Sequence, residues 1–304
     1  MPNTPSREPR RAITGVFLLD KPFGLSSNAA LQRVRRLFCA QKAGHTGTLD
    51  PHATGLLAIC LGEATKFSGW LLDAPKTYLA QIRLGYTSST GDGEGEIARK
   101  QPFPGSASDL QAALKQFEGI QVQRPPMHSA LKVEGRPLYS YARAGLEVPR
   151  AERRIEVLAQ RMEGWDGETL SLSVTVSKGT YIRVLAQDIG EALGCGGYLT
   201  GLRRTGAGPF TLDAATTMET LESLDSPGRD ALLLPADALL QGMPRLELDD
   251  AQSLAVQRGQ RPACSIPDPP GQRFRVYNPG NRFLGICELT SERRLHPARM
   301  MAGD

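Results

Sequence analysis

The chain has 304 residues, of which 40% are hydrophobic and 22% are charged. That length accommodates one large domain and a small one, and the composition is ordinary for a soluble protein with a real hydrophobic core. Lysine and arginine exceed aspartate and glutamate by 36 to 32, which gives a net charge of +4. This mild excess permits an RNA partner but does not by itself indicate one.

The cysteines and the start of the chain exclude several classes of protein. The five cysteines are scattered and form no CxxC pair, which argues against a disulfide framework and a zinc site and favours reduced thiols in a cytoplasmic protein. No apolar run is long enough to span a bilayer. Residues 1–12 lack the hydrophobic region of a secretory signal, and their proline and arginine content predicts a disordered basic arm.

In chain order, the first predicted elements surround a glycine-rich loop. An apolar run at residues 14–19 predicts a strand. Ser26 or Ser27 is suited to cap the helix that follows, because apolar residues recur there at helical spacing. After residues 44–55, a second apolar stretch at 56–61 leads into another short helix. The apolar positions of the two helices are Leu31, Val34 and Phe38, then Ala64, Phe67 and Leu71.

Strand patterns are clearest further along, at residues 78–84 and 170–176, where apolar and polar side chains alternate. Leu185, Ile189 and Leu193 then predict an amphipathic helix. Strands and helices are mixed without a regular βαβ repeat. The sequence therefore predicts an α+β domain built on a largely antiparallel or mixed sheet.

Changes in composition predict the domain organisation. Residues 86–107 are polar and rich in turn formers, which predicts an exposed and functional excursion. A proline- and glycine-framed segment places a boundary near Pro244, so the large domain covers residues 13–244. Residues 245–304 predict a small β domain, because two strand-like runs flank Asn278-Pro279-Gly280.

The most unusual segment is the loop at residues 44–55, GHTGTLDPHATG. It is not a phosphate-binding P-loop, because GxxxxGK[ST] is absent. Asp50 before Pro51 is, by residue type alone, most often a turn aspartate bonded to its own backbone. His45 alone is more often a structural than a catalytic histidine. Composition leaves both residues with these ordinary roles.

Ordered motifs change that interpretation. GHTGTLDPHATGLLAICLGEATKF, residues 44–67, resembles the catalytic motif of the bacterial tRNA pseudouridine-55 synthases, a branch of the pseudouridine synthase superfamily. The resemblance covers residues 13–220, and the tail, with RFLGICEL and RLHPARMM, is similar to a PUA RNA-binding module. His52 departs from the family, which often has a bulky apolar residue there. The other matching segments are GVFLLDKPFGLSS (15–27), KTYLAQIRLG (76–85), PPMHSALKVEGRPLYSYAR (125–143), SKGTYIRVLAQDIGEALG (177–194) and LRRTGAGPF (202–210).

The resemblance implies a pseudouridine synthase catalytic domain, with a mixed, mostly antiparallel sheet and flanking helices, over residues 13–244. It implies an RNA-gripping insertion within residues 86–150 and a β-barrel-like PUA domain over 245–304. The implied activity is the isomerisation of uridine 55 in the tRNA T stem-loop after base flipping. Because the reaction involves no redox change, the expectation is no cofactor and no metal. A monomer that needs no protein partner is also expected.

The same resemblance implies roles for individual residues. Asp50 is the nucleophile or proton acceptor; attack at C1′, attack at C6 and a glycal route all remain open. Arg183 pairs with it and favours its charged form. Tyr78 stacks on the uracil and takes part in proton removal at C5. Tyr181 lines the pocket and points the same way as Arg183 if the backbone is extended there.

Further residues are implied to bind the substrate. His45 contacts the RNA where the base leaves the stack, and Leu202 forms an apolar wall of the uracil pocket. Lys21 either supports the loop or binds phosphate. Basic residues that are candidates for phosphate contact, each as readily a solvated charge, lie in Arg33-Arg35-Arg36, in residues 124–143 and in Arg203-Arg204.

Three alternative functions are each disfavoured by the sequence. A tRNA-binding chaperone with a lapsed centre is disfavoured because Asp50, Tyr78, Tyr181 and Arg183 are all present. A guide-RNA-dependent synthase is disfavoured because the excursion at 86–107 resembles the stand-alone bacterial form. A glycosidase would need a second carboxylic acid beside Asp50, and the sequence offers no plausible one.

Overall fold

The computed structural model describes residues 9–302, which divide into two compact units. Within the described residues, the first unit comprises segments of Met1–Pro51, Leu57–Leu72 and Pro209–Asp304. The second comprises His52–Leu56 and Asp73–Gly208. The mixture of helices with a large mixed sheet confirms the predicted α+β class.

The elements are numbered in chain order. The helices of the described chain are α1 Ser27–Leu37, α2 Ser68–Asp73, α3 Ala107–Lys115, α4 Leu138–Arg143, α5 Ile182–Ala192, α6 Met218–Ser223, α7 Ser226–Asp230 and α8 Asp250–Gln257, with 3-10 turns at Gly62–Phe67, Leu212–Ala214 and Ala236–Leu240. The strands are β1 Gly15–Lys21, β2 Ala43–His45, β3 Ala53–Leu61, β4 Lys76–Leu84, β5 Tyr86–Ser88, β6 Ile97–Arg99, β7 Gly119–Gln123, β8 Lys132–Val133, β9 Arg136–Pro137, β10 Arg153–Trp165, β11 Thr169–Val176, β12 Gly197–Ala207, β13 Phe210–Thr211, β14 Thr216–Thr217, β15 Arg245–Glu247, β16 Arg273–Tyr277, β17 Phe283–Leu289 and β18 Leu295–Met300.

The first unit holds the N-terminal strand and helix. Helix α1 begins as predicted, because the Ser26 side chain accepts a hydrogen bond of 3.1 Å from the Ala29 N–H. Strand β1 pairs in parallel with β14, and β2 pairs antiparallel with the end of β3. One apolar cluster packs α1 against these strands, with Phe17, Val34 and Ile59 fully buried.

The described part of the predicted basic arm is held by the first unit. The Arg11 N–H donates to the Cys39 carbonyl over 2.6 Å, and the Arg11 guanidinium pairs with Asp230. The described chain is thus bound to its neighbours before residue 13, which differs from the prediction of disorder up to residue 12. Residues 1–8 lie outside the described residues.

The C-terminal strands have a core of their own. Strands β15, β16, β17 and β18 form a separate four-stranded sheet. Its buried cluster is drawn from within 246–300. The sheet packs on the segment after β3: the rings of Phe283 and Phe67 lie 5.3 Å apart, and the Lys66 ammonium donates to the Met300 carbonyl over 3.0 Å. The Ala302 N–H donates to the Glu63 carboxylate over 2.7 Å.

The second unit is organised by a sheet whose strands lie far apart in sequence. Strand β12 pairs in parallel with the start of β3 and antiparallel with β4. Strands β11, β10 and β7 follow beside β4, each antiparallel to its neighbour. Helices α3 and α5 supply the rest of the apolar core, which includes Ile82, Leu172 and Ile189.

Helix α5 carries one half-buried acid that destabilises the fold at neutral pH. The Asp188 side chain makes no hydrogen bond or ion pair within residues 9–302. Burial, with a smaller contribution from the Glu191 charge, raises the Asp188 pKa to about 6. Because the folded-state pKa lies above the unfolded one, the free energy of unfolding falls as pH rises from about 4 to about 6, and the loss persists above that range.

We therefore expect Asp188→Asn to raise the free energy of unfolding at pH 7.5 by about 1–2 kcal/mol, since partial solvent screening reduces the full linkage value. The gain should shrink as the pH is lowered from 7 to 5, which urea unfolding at several pH values measures. Glu191→Gln, which removes only the smaller cause, should give a smaller gain. A gain from Asp188→Asn that is the same at every pH would contradict this account.

Candidate active site

Lys21, at the end of β1, braces the chain next to Asp50. Its side chain is fully buried, and its ammonium donates to the carbonyls of Pro22, Leu25 and Pro51 over 2.9, 2.6 and 3.4 Å. Each carbonyl accepts a charge-assisted hydrogen bond, so these main-chain oxygens of an irregular loop have a partner within the protein. Of the two roles considered for Lys21, burial favours support of the loop over direct contact with phosphate.

The residue before Asp50 is anchored as well. The Ser27 hydroxyl donates to the Leu49 carbonyl over 2.9 Å and accepts from the Leu49 N–H over 2.7 Å. On the other side, the Pro51 carbonyl accepts from the Gly24 N–H over 2.9 Å. Asp50 is half-buried between these two anchored neighbours. Its main chain is therefore held in place by groups other than its own carboxylate.

His45 lies at the other end of the same loop. It ends strand β2, where it is opposite Ile59 of β3 and half-buried. The next residue, Thr46, is buried, and its N–H donates to the Ala58 carbonyl over 3.1 Å. The imidazole thus extends from a paired strand rather than from a loose turn.

Tyr78 and Leu202 lie on one face of the second unit's sheet. Tyr78 on β4 is opposite Arg204 on β12, and Leu202 is opposite Ala80. Side chains at these paired and diagonal positions project from the same side of the sheet. Both Tyr78 and Leu202 are half-buried and flank the apolar core of this unit. A flat aromatic and a branched apolar side chain at this spacing can form two walls for a planar base.

Tyr181 and Arg183 lie at the start of α5. Tyr181 precedes the first helical residue. Its N–H donates to the Gln123 side-chain oxygen over 2.8 Å, and its carbonyl accepts from the Gln123 side-chain nitrogen over 3.1 Å. Arg183 already belongs to the helix. The condition that the backbone be extended through these residues is therefore not met, because the helix begins at Ile182. The strand geometry that would point both side chains the same way therefore does not apply to this pair.

The Arg183 guanidinium is held by two groups that sequence reasoning missed. Its Nη1 lies 3.0 Å from a carboxylate oxygen of Asp92, and its Nη2 donates to the His128 carbonyl over 2.7 Å. The Arg183 and Asp92 side chains are only 7% and 15% exposed. Such a pair is desolvated and strongly oriented. No sequence pattern marked Asp92, which lies in a polar excursion predicted to be exposed.

Several basic side chains proposed for phosphate contact are already engaged. Arg33 pairs with Glu222, and Arg35 donates to the carbonyls of Ala40 and Gln41. Arg204 is 1% exposed, and its Nε donates to the Leu56 carbonyl over 2.6 Å. These arginines are bound within the protein, and their contact with phosphate stays a prediction.

Within residues 9–302, no group of three or more His, Cys, Asp or Glu side chains is arranged to hold a metal ion. In the same residues, no helix is long and apolar enough to cross a membrane. Within the second unit, phenols, a buried guanidinium and an apolar side chain are present, and a phenol can stack on a flat base and exchange protons. The Asp50 carboxylate belongs to the first unit, and a carboxylate can form a covalent bond to carbon.

Models of known protein families match most of the chain, from residue 35 to residue 301. Residues 35–182 match the N-terminal domain of the TruB family of pseudouridylate synthases. The chain belongs to the TruB family. Two further TruB-family models match next to it: the tRNA pseudouridylate synthase B C-terminal domain at residues 183–241, and the pseudouridine synthase II TruB C-terminal model at residues 244–301.

Individual TruB relatives are similar over nearly their full length. The tRNA pseudouridine synthase B of Chromobacterium violaceum is 51% identical over 97% of this chain and 97% of its own. That of Ralstonia pickettii is 54% identical over 90% of this chain and 87% of its own. These values confirm the family that the motifs indicated.

Solved structures are similar in fold. One, titled as a Cbf5-Nop10-Gar1 complex, matches with a TM-score of 0.70 and 25% identity, covering 95% of this chain and 84% of that chain. An H/ACA RNP bound to a substrate RNA containing 2'-deoxyuridine matches with a TM-score of 0.71 and 23% identity, covering 95% and 85%. Both support the TruB-like fold of this chain.

Proposed function

We propose that this protein isomerises uridine to pseudouridine at position 55 in the T loop of tRNA. The observation that carries the proposal is the near full-length similarity to proteins named tRNA pseudouridine synthase B, at 51% and 54% identity. The aspartate, tyrosines and arginine of the family's motifs are all present at Asp50, Tyr78, Tyr181 and Arg183.

In the proposed reaction, the uracil N1–C1′ bond breaks, the base turns, and a C5–C1′ bond forms. The hydrogen leaves C5, and N1 gains one, so that atoms balance and no oxidant or cofactor is required. Asp50 serves as nucleophile or proton acceptor, at C1′, at C6 or through a glycal. Asparagine at this position could do none of these. The anchored main chain on both sides of Asp50 supports this role, because a nucleophile must be held in one orientation.

Arg183 is proposed as the counter-charge of Asp50, and Tyr78 and Leu202 as the walls that hold the flipped uracil. The shared sheet face of Tyr78 and Leu202 supports the second assignment. Tyr78 is further proposed to assist proton removal at C5, since a phenol can both stack and exchange protons. Tyr181 is proposed to line the pocket, and His45 to contact RNA where the base leaves the stack.

The substrate is proposed to be the tRNA T stem-loop, bound in the cytoplasm by a monomer without a protein partner. Residues 86–150 are proposed to grip the RNA, and residues 245–304 to add RNA-binding area. The separate core and sheet of the C-terminal residues support their assignment as a module within the larger chain, with residues 13–244 as the catalytic domain. Contacts of this electrostatic kind should weaken with added salt.

Tritium release tests the activity directly. The purified full-length chain is incubated with an unmodified T-arm stem-loop that carries [5-³H]uridine, without added metal or cofactor. We expect one tritium released per RNA, with pseudouridine mapped to the target position. The same stem-loop with cytidine at that position should release none from the loop. RNA binding without any release from the uridine substrate would favour the chaperone alternative and overturn the proposal.

A further inference from the structure

A partly buried turn in the polar excursion surrounds the Asp92 carboxylate. The turn, residues 88–95 and here called the Asp92 turn, joins β5 to β6. One oxygen of the carboxylate, Oδ1, accepts from the Thr90 hydroxyl over 2.6 Å and from the Glu94 N–H over 3.1 Å. The other oxygen, Oδ2, lies 3.0 Å from Arg183 Nη1. One carboxylate oxygen is therefore hydrogen-bonded within the turn, and the other pairs with Arg183.

The turn leaves the Thr90 hydroxyl little freedom. A side chain at Gly95 would place its Cβ 2.6 Å from Thr90 Oγ1, and a Cβ at Gly91 would lie 2.8 Å from the Gln187 side chain. Ser88 is buried, and its hydroxyl donates to the Asp92 carbonyl over 2.5 Å. A threonine hydroxyl has one proton to donate. The 2.6 Å distance to Asp92 Oδ1 is its shortest to any acceptor in the turn, the Asp92 carbonyl lying at 3.4 Å.

The orientation of Asp92 sets that of Arg183. The guanidinium is planar, so the Asp92 contact at Nη1 and the His128 carbonyl at Nη2 together define its plane. The terminal torsion of an aspartate is soft. Without the Thr90 donor, Asp92 Oδ1 keeps only the Glu94 N–H, so the orientation of the carboxylate toward Arg183 is less restricted. Small displacements of charged groups at a reacting centre reduce rates strongly.

We propose that Thr90 is a positioning residue: its hydroxyl orients the Asp92 carboxylate, which in turn orients Arg183 for the chemical step. The proposal rests on the proposed function, in which Arg183 serves the reaction. It predicts an effect on the rate of chemistry and not on the capture of tRNA.

Thr90→Val tests the proposal, because valine keeps the shape and removes only the hydroxyl. In single-turnover assays at saturating enzyme, we expect the rate to fall roughly tenfold, the scale of one lost hydrogen bond to a charged group. The dissociation constant for a T-arm stem-loop should stay within about twofold. Thr90→Ser, which keeps the donor, should recover most of the rate.

Thr169→Val is the matched control. Thr169 begins β11, outside residues 86–150, and it is half-buried. Its N–H donates to Asp166, but its hydroxyl makes no hydrogen bond within the described residues. The same substitution there should leave the rate and the binding unchanged. An equal loss in Thr169→Val and Thr90→Val would show a general sensitivity to the loss of a threonine hydroxyl and would overturn the proposal.

A double-mutant cycle with Asp92→Asn separates positioning from plain stability. If Thr90 acts through the Asp92 carboxylate, Thr90→Val should cost less than about twofold in the Asp92→Asn background. Full additivity of the two rate losses would refute the pathway through Asp92.

The remaining outcomes are also decisive. If the wild-type chain releases no tritium, the proposed function is wrong. If the wild type is active and Thr90→Val is equally active, the proposed function stands and only the role of Thr90 is rejected. Thermal unfolding and Thr90→Ala report on folding. If both hydroxyl-free variants unfold, the role of Thr90 is structural and the positioning proposal is rejected.

Discussion

Asp50→Asn is expected to reduce pseudouridine formation by at least roughly 10³-fold, the scale at which enzymes lose activity when a nucleophile is removed. The amide is close in size to the carboxylate but can neither attack carbon nor accept a proton at neutral pH. Single-turnover tritium release, with pseudouridine mapped in the product, measures the loss.

The Asp50→Asn variant should fold as the wild type does and should bind RNA with unchanged affinity. The loop position depends on main-chain bonds at Leu49 and Pro51 and on the buried Lys21 ammonium, none of which uses the Asp50 side chain. Asp213→Asn, a matched change at an exposed site, should be as active as the wild type. Retention of substantial activity by Asp50→Asn, with product at the same position, would remove Asp50 from the mechanism.

The local elements of the site were predictable where the sequence has a clear period. Alternation at residues 78–84 predicted the strand that carries Tyr78, and it is β4, Lys76–Leu84. Helical spacing around Leu185 and Ile189 predicted α5. These predictions succeed because each side chain faces either the core or solvent. Apolar residues therefore recur in the sequence with the period of the buried face.

Strand β12 was not predicted as a strand, although it carries Leu202 and pairs with a strand on each side. Its sequence, GYLTGLRRTGA, contains three glycines and an arginine pair and has no alternation. What makes it a strand is pairing with β3 on one side and β4 on the other. That pairing is non-local, so intrinsic propensity does not reveal it.

The Asp92 turn shows a second limit of the sequence. Its composition is that of an exposed loop, yet Ser88 is buried and Gly91 packs directly against the Gln187 side chain of α5. The turn can be polar and partly buried because its polar groups bond one another and Arg183. One of these bonds joins Gln187 to Ser88, which lie 99 residues apart along the chain, and composition cannot reveal such distant partners.

Gly55→Ala is expected to destabilise the catalytic fold by about 2–5 kcal/mol, the sum of a strained backbone and an overpacked contact. Gly55 has a φ of +99°, in the region that favours glycine. It is also opposite Arg204 in the parallel pairing of β3 with β12. An added Cβ would collide with the Arg204 carbonyl oxygen and would lie 2.7 Å from its main-chain nitrogen.

Gly167→Ala separates these two causes. Gly167 has a nearly identical φ of +100°, but an added Cβ there would meet nothing within 4 Å. It should therefore show the backbone cost alone, on the order of 1–2 kcal/mol. Urea unfolding of both variants gives the difference, which is the cost of forcing β3 away from β12.

Movement of the strands that relieves this collision should also change the pocket proposed for the uracil. The ladder that includes Gly55 and Arg204 also aligns Ala53 with Leu202, and Leu202 in turn aligns with Ala80, two residues from Tyr78. Separation of β3 from β12 would therefore displace Leu202 from its present position beside Ala80 and Tyr78 of β4. In Gly55→Ala at a temperature where it remains folded, we expect the single-turnover rate to fall well below that of Gly167→Ala. Equal stabilities and rates in the two variants would mean that the close approach of β3 to β12 is not needed for the fold or for the pocket.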